Sequence, residues 1–192
     1  AIFFQKKFSH RLTQGSYSAK IFSGTSNPTL SKHVSQVMRS DAMLDVDVGL
    51  FANGEVSVKI KEAVRGDDVF IIQSMAGNAL SGKSLSDSIV ELLLMIQAVA
   101  MASAARVTAV IPYMAYTSRT TEISALAEMV GLMGCNRVVT LDLYSEQVEG
   151  LFGNIPVDNI SAKMEFLNYI TTSLRAQNNP FDNIVIVASD SE

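Results

Sequence analysis

The sequence predicts an α/β fold with a mainly parallel sheet flanked by helices. Short apolar runs alternate with segments of helical periodicity, and this alternation is typical of βαβ units. Several runs consist of valine and isoleucine without polar alternation, as expected for strands that are covered on both faces. The predicted strands are residues 20–22, 56–60, 69–73, 107–111, 138–143 and 184–188.

The predicted helices have helical spacing of apolar residues and recognisable ends. Pro28 suits the first turn of the first helix. Ser84 and Asp87 have the spacing of a capping box at the start of the second. Gly134 follows the third helix and is a common left-handed residue at a helix end. The predicted helices span about residues 28–38, 84–104, 124–133 and 161–176.

The composition is that of a globular protein. The chain has 192 residues, of which 48% are hydrophobic and 18% charged, enough for one domain with a full core. The single cysteine, Cys135, excludes an intrachain disulfide and suits a reducing compartment, so a cytoplasmic location is expected. The longest apolar stretch, residues 92–102, is too short to cross a bilayer, so no membrane partner is expected.

The charge is unevenly distributed along the chain. Residues 1–40 contain six of the 15 basic residues and no Asp or Glu, whereas the remaining 152 residues carry nine basic and 19 acidic side chains. The acidic body argues against nucleic-acid binding. The basic N-terminus is either the remnant of a transit peptide for organellar import or, as we favour, a plain solvated extension. Residues 1–19 are therefore expected to be an extension and residues 20–192 a domain.

Residues 77–84 match the phosphate-loop pattern of Gly, four arbitrary residues, Gly, Lys and Ser. The segment follows a predicted strand and precedes a helix, as the pattern requires. In such a loop Lys83 would hold phosphates and Ser84 would bind Mg²⁺, the arrangement of a P-loop nucleotide hydrolase. The alternative is a surface connection rich in glycine and serine, and the resemblance described next favours it.

Separated blocks in a fixed order resemble the ribose-phosphate pyrophosphokinase family from residue 20 to residue 192. The early blocks are IFSGTSNP at 21–28, GLFANGE at 49–55 and DVFIIQS at 68–74. The later ones are ELLLMI at 91–96, ASAARVTAVIPY at 102–113, DL at 142–143, QVEG at 147–150 and IPVDN at 155–159. This ordered matching is far more specific than one eight-residue pattern.

The resemblance implies the first, phosphoribosyltransferase-like half of a two-domain enzyme, with the second domain absent from the chain. The implied reaction transfers the diphosphoryl group of ATP to ribose 5-phosphate, with Mg²⁺ as cofactor, and makes phosphoribosyl pyrophosphate for nucleotide biosynthesis. A homo-oligomer, dimer or hexamer, is also implied. Because the ribose-phosphate loop would lie beyond Glu192, we expect the 192 residues alone to be inactive.

The resemblance also assigns candidate binding residues but no catalytic residue. Phe51 would stack on adenine, and the carboxylate of Asp142 is the kind of ligand that Mg²⁺ prefers. The same residues could instead have purely structural roles. These are a hairpin turn at Asn53-Gly54, a cap at the end of a strand for Asp142 and an acidic residue in a turn for Asp158. The assigned residues are Phe51, Asn53, Glu55, Ser118 and Arg119 for ATP, Asp142, Tyr144 and Asp158 for the metal, and Asp190 for ribose phosphate.

The chain departs from the family pattern in three places. Tyr144 stands where the family has a histidine, and a neutral phenol is a poor Mg²⁺ ligand. Gly153-Asn154 replaces an acid shortly before residues 155–158. The basic stretch that grips the ATP phosphates is reduced to Arg119. These departures motivate an alternative function, a non-catalytic paralogue that assembles with active subunits and regulates them.

Overall fold

The computed structural model describes residues 19–38, 45–77 and 82–176, together with residues 185 and 187. The chain forms two compact units, Ala1–Ile160 and Ser161–Glu192. In the described residues the strands are β1 (Ala19–Ser23), β2 (Val46–Leu50), β3 (Val56–Ile60), β4 (Asp68–Ile72), β5 (Arg106–Ile111), β6 (Arg137–Leu141) and β7 (Val157–Ile160). The helices are α1 (Pro28–Met38), α2 (Leu85–Met101), α3 (Thr120–Leu132) and α4 (Lys163–Ala176), with a 3₁₀-helix at Glu146–Phe152.

A five-stranded parallel sheet in the order β1-β4-β5-β6-β7 forms the centre of the first unit. The apolar runs of β1, β4 and β5 lie side by side, with Ile21 opposite Phe70 and Ile71 opposite Ala109. Since all five strands run the same way, their carboxyl ends meet at one edge of the sheet, where α/β proteins bind ligands. The predicted fold class, a mainly parallel sheet flanked by helices, is confirmed.

Helix α2 carries most of the contact between helices and sheet. Its capping box forms as predicted, with the Ser84 side chain accepting from the Asp87 amide. The wide apolar stripe of the helix places Leu92, Met95, Ile96 and Val99 in the core. Burying each such side chain stabilises the fold by roughly 1.5–3 kcal/mol. Helix α2 therefore fixes the layer on which β4 and β5 rest.

The β2–β3 hairpin is the main difference from the predicted topology. The strand predicted at residues 56–60 forms, but it pairs antiparallel with β2 outside the main sheet. The Asn53-Gly54 turn accounts for this pairing, because Gly54 has a φ of 88° and its N–H donates to Phe51 O. Strand β2 escaped prediction, and so did β7, whose central residues are the polar Asp158 and Asn159.

The remaining predicted elements divide into confirmed and untested ones. Helix α1 has the predicted bounds, and Gly134 is left-handed at φ 98° after α3. Helix α4 forms within the second unit, where the Thr171 hydroxyl donates to Leu167 O. The strand predicted at residues 184–188 lies outside the described residues. No helix in the described part of the chain is long and apolar enough to cross a membrane.

Candidate functional site

A cleft of about 440 Å³ opens at the carboxyl ends of β5 and β6. Its volume lies within the range of small-ligand pockets, and its position is the edge where parallel sheets bind ligands. Loops that follow the two strands form its walls. The lining residues are Tyr113, Met114, Tyr116, Thr117, Ser118, Leu141, Asp142, Leu143 and Tyr144.

Two residues of this cleft have left-handed backbone conformations. Tyr116 has a φ of 63° and Asp142 a φ of 43°, and among the described residues only Ser103 is a further non-glycine case. Such conformations cost about 1–3 kcal/mol each and concentrate at functional sites. Strand β7 holds the second turn in place, because the Asp142 N–H donates to Ile160 O at 2.9 Å.

The predicted phosphate-binding residues lie at the rim of the cleft. Ser118 is part of the lining, and Arg119 follows it at the start of α3. The Arg119 guanidinium is mostly exposed and lies 3.4 Å from the Glu122 carboxylate. An ion pair this exposed contributes about 0–1 kcal/mol, so a phosphate can displace it. Among the described residues that line the cleft, none is a lysine or an arginine.

The three residues predicted to bind the metal do not all lie together. Asp142 and Tyr144 line the cleft, whereas Asp158 accepts two hydrogen bonds from Arg137, at 2.5 and 2.9 Å. The hydrogen bond to Asp158 raises the pKa of Arg137. Asp158 pairs in register with Val139, three residues before Asp142, and lies roughly 10 Å back along the strand. Within the described ranges no three His, Cys, Asp or Glu side chains converge to hold a metal ion.

The predicted adenine-binding residues lie on the turn of the hairpin. The Phe51 N–H donates to Glu55 O at 2.8 Å, and the Glu55 N–H donates to the Asn53 side chain at 3.2 Å. The turn itself is therefore confirmed. Phe51 is 58% exposed, so its ring face is accessible for stacking. These residues are not part of the cleft lining, and Asp190 lies outside the described residues.

The P-loop hypothesis is wrong for Lys83. Its ammonium group is buried and donates to Glu91 Oε2 at 2.7 Å and to Thr25 Oγ1 at 2.8 Å. In this arrangement the ammonium group points to a buried carboxylate and not to a nucleotide phosphate. The sequence pattern singled out Lys83. It did not indicate that the partner of Lys83 is the carboxylate of Glu91, two turns into α2.

Two tyrosines of the cleft, Tyr113 and Tyr116, escaped prediction as site residues. Both follow β5, and 57% and 42% of their surfaces are exposed. Their position directly after a buried valine-rich strand was the available signal, because polar residues at strand ends meet at the functional edge. The cleft is consequently richer in aromatic rings than the predicted site.

Comparison with known proteins agrees with the parallel α/β architecture. Residues 19–130 match the family model for the N-terminal domain of ribose phosphate pyrophosphokinase. The chain is 39% identical over 184 residues to ribose-phosphate pyrophosphokinase 2 of Schizosaccharomyces pombe, covering 92% of this chain and 54% of the relative. It is 40% identical over 183 residues to ribose-phosphate pyrophosphokinase of Chromobacterium violaceum, covering 90% and 51%.

Solved structures agree with these sequence matches. A crystal structure of phosphoribosylpyrophosphate synthetase from Mycobacterium smegmatis superposes with a TM-score of 0.74 at 29% identity, covering 83% of this chain and 53% of that one. The fold is thus that of a phosphoribosyltransferase-like domain. The chain belongs to the ribose-phosphate pyrophosphokinase family and spans about half the length of the curated relatives that it matches.

Proposed function

We propose that the protein carrying this chain transfers the diphosphoryl group of ATP to the 1-hydroxyl of ribose 5-phosphate. The products are phosphoribosyl pyrophosphate and AMP. The observation that carries the proposal is the cleft at the carboxyl edge of β5 and β6, in a chain that belongs to this family. The strained Asp142 and the neighbouring Ser118 and Arg119 supply this edge with a carboxylate, a hydroxyl and a guanidinium.

The donor set fits a Mg²⁺ ion that is bound mainly through substrate. Mg²⁺ usually takes one or two protein carboxylates together with substrate phosphates and water. Asp142 supplies one carboxylate, and the phenol of Tyr144 adds a weak donor at most. The metal would neutralise charge on the transferring phosphates. We assign it to Asp142 and not to Asp158, since Arg137 already neutralises Asp158.

The substrate assignments follow the positions of the remaining side chains. Arg119 would meet the ATP phosphates, and Phe51 would stack on adenine while Asn53 and Glu55 bind its polar edge. For Asp190, a role at the ribose phosphate stays a prediction. We also propose a homo-oligomer, dimer or hexamer, in which the exposed Leu50 and Phe51 of the hairpin meet another subunit. Light scattering on the whole protein measures this directly.

The reaction is tested with the whole protein, ATP, ribose 5-phosphate and Mg²⁺, by following AMP and phosphoribosyl pyrophosphate. We expect product from the wild type and a loss of about 100-fold in kcat/KM for Asp142→Asn, about 2.7 kcal/mol, because weaker metal binding removes part of the several kcal/mol that the ion supplies. Glu128→Gln on the exposed face of α3 is the matched control and should leave the rate unchanged. Equal rates for Asp142→Asn and Glu128→Gln would contradict the assignment of Asp142.

A non-catalytic paralogue is the second candidate function. Two observations favour it, the lack of lysine and arginine among the described lining residues and the phenol of Tyr144 beside Asp142. The test is co-expression with an active family member. Co-purification with a changed rate of the partner, and no product from the chain's own protein, would support the paralogue over the enzyme.

The proposed location is the cytoplasm, with organellar import as the alternative suggested by the acid-free N-terminus. Cell fractionation with an antibody against the natural protein distinguishes the two. A single cytoplasmic band supports the first, and an organellar band of lower mass supports import.

A further inference from the structure

A buried polar cluster lies at the carboxyl ends of β1 and β4, beside the start of α2. We call it the Lys83 cluster, and its members are Thr25, Ser26, Gln73, Lys83 and Glu91. Glu91 and Gln73 have no exposed surface, and only 8% of Lys83 is exposed. Polar groups this deeply buried are retained only when they are well paired.

Glu91 is the centre of the cluster and accepts three hydrogen bonds from two segments. Lys83 Nζ lies 2.7 Å from Glu91 Oε2, the Thr25 hydroxyl donates to the same oxygen at 2.7 Å, and the Thr25 N–H donates to Oε1 at 2.6 Å. Lys83 Nζ also donates to Thr25 Oγ1 at 2.8 Å. Lys83 therefore supplies the positive charge that pairs with a fully buried carboxylate, and that carboxylate in turn holds Thr25.

The second arm of the cluster connects this loop to β4. The Ser26 hydroxyl donates to Gln73 Oε1 at 2.7 Å, and the Ser74 N–H donates to Ser26 Oγ at 2.8 Å. The approach is close enough that only glycine fits at position 24, since a Cβ there would overlap the Gln73 amide and lie 3.0 Å from Glu91 Oε1. The loop of residues 24–27 is thus set against the end of β4 by defined polar contacts.

The end of β4 in turn holds a wall of the cleft. The N–H of the buried Met75 donates to Tyr113 O at 2.8 Å, and Tyr113 lines the cleft. A continuous series of hydrogen bonds and short backbone steps therefore runs from Lys83 to the cleft. It passes through loops at the functional edge and not through the interior of the sheet.

We propose that Lys83 is a positioning residue for the cleft, acting through Glu91, the 24–27 loop and residues 73–75 on the Tyr113 wall. The inference rests on the proposed function only for the ligand used in the second measurement below. Lys83 comes from residues 77–84, the connection whose sequence resembles a phosphate loop. In this protein the same lysine would position the residues of the cleft without contacting the ligand.

The first test is hydrogen–deuterium exchange on the whole protein, comparing wild type with Lys83→Met. The amides of Thr25, Ser74 and Met75 report the cluster, and the amide of Asn136, which donates to Val107 O at 2.8 Å, reports the sheet. We expect exchange at the three cluster amides to rise about tenfold or more, with Asn136 unchanged. Lys61→Met is the matched control, because Lys61 pairs with Asp45 on the surface.

The second measurement is the affinity for Mg²⁺-ATP, which should weaken about tenfold in Lys83→Met and stay unchanged in Lys61→Met. Unchanged exchange at Ser74 and Met75 would overturn the proposal, and so would an equal rise at Asn136, which would mean general destabilisation. If Lys83→Met does not fold, Lys83→Met with Glu91→Gln removes the unpaired charge, and the same cluster amides must still exchange faster. A wild type that binds no ATP would sink the proposed function, while exchange still tests Lys83.

Discussion

At the scale of single residues, Tyr144 gives a direct test of the proposed chemistry of the cleft. It lies two positions after Asp142, lines the cleft and is 70% exposed, so its side chain can be changed without disturbing the core. A phenol binds Mg²⁺ poorly, whereas an imidazole can both bind a metal and hold a proton. The resemblance placed a histidine at this position.

We therefore predict that Tyr144→His raises kcat/KM for phosphoribosyl pyrophosphate formation, by about tenfold at limiting Mg²⁺. Tyr144→Phe is the control, since it removes only the hydroxyl, and it should resemble the wild type. Steady-state rates across a Mg²⁺ titration measure both variants. If His and Phe behave alike, the phenol is not what limits catalysis.

Cys135, unlike the exposed Tyr144, is buried, and its surroundings make its thiol unreactive. It is buried, its thiol donates to Arg137 O at 3.0 Å, and burial raises its pKa above the ordinary value. The thiolate that reacts with labelling reagents is therefore disfavoured. We predict that a thiol reagent labels Cys135 only after denaturant unfolds the first unit, as followed by mass spectrometry at pH 7 to 8. Rapid labelling of the native protein would show that this strand end opens.

Among the secondary-structure elements, α2 gives a pH-dependent prediction. Hydrogen bonds from the backbone and then the side chain of Ser84 lower the pKa of Asp87 below its ordinary 3.8. A depressed pKa in the folded state contributes stability above the unfolded-state value, and that contribution disappears as the pH falls through the folded value. We predict that Asp87→Asn is less stable than wild type at pH 5 to 7, with the difference shrinking as the pH falls below 3.8.

Urea unfolding at several pH values measures this difference. Glu128→Gln, on the exposed face of α3, is the control and should show no such trend. A difference between wild type and Asp87→Asn that grows towards low pH would contradict the capping role.

At the scale of the whole molecule, two glycines test how tightly the first unit is assembled. Gly54 needs a left-handed backbone but has open space around it, whereas Gly24 has no room for a Cβ between the sheet edge and α2. We predict that Gly54→Ala costs about 1 kcal/mol, while Gly24→Ala costs about 3 kcal/mol or more, because Gln73 and Glu91 must both move. Thermal and urea unfolding give both values, and equal costs would mean that the 24–27 loop yields easily.

How much of this structure could be predicted from the sequence depends on which interactions join residues that are close along the chain. The parallel sheet and the α2 cap were predictable, since apolar runs such as 107–111 and the Ser84–Asp87 spacing act within a few residues. The pairing of Asp158 with Arg137 was not, because it joins residues 21 positions apart. Strand β2 was missed although its partner β3 follows directly across the Asn53-Gly54 turn. Lys83 shows the limit most clearly, since its local pattern indicated a phosphate and its tertiary partner is Glu91.

The Lys83 cluster also has a consequence for the kinetics of folding. Three of its hydrogen bonds join residues 48, 58 and 66 positions apart, so they close long loops and should form after the helices and local turns. Interactions absent from the folding transition state act on the unfolding rate. In stopped-flow measurements Lys83→Met should therefore unfold faster while refolding at nearly the wild-type rate. Lys83 would then form its contacts late in folding. It would slow the unfolding of the first unit without changing how quickly that unit folds.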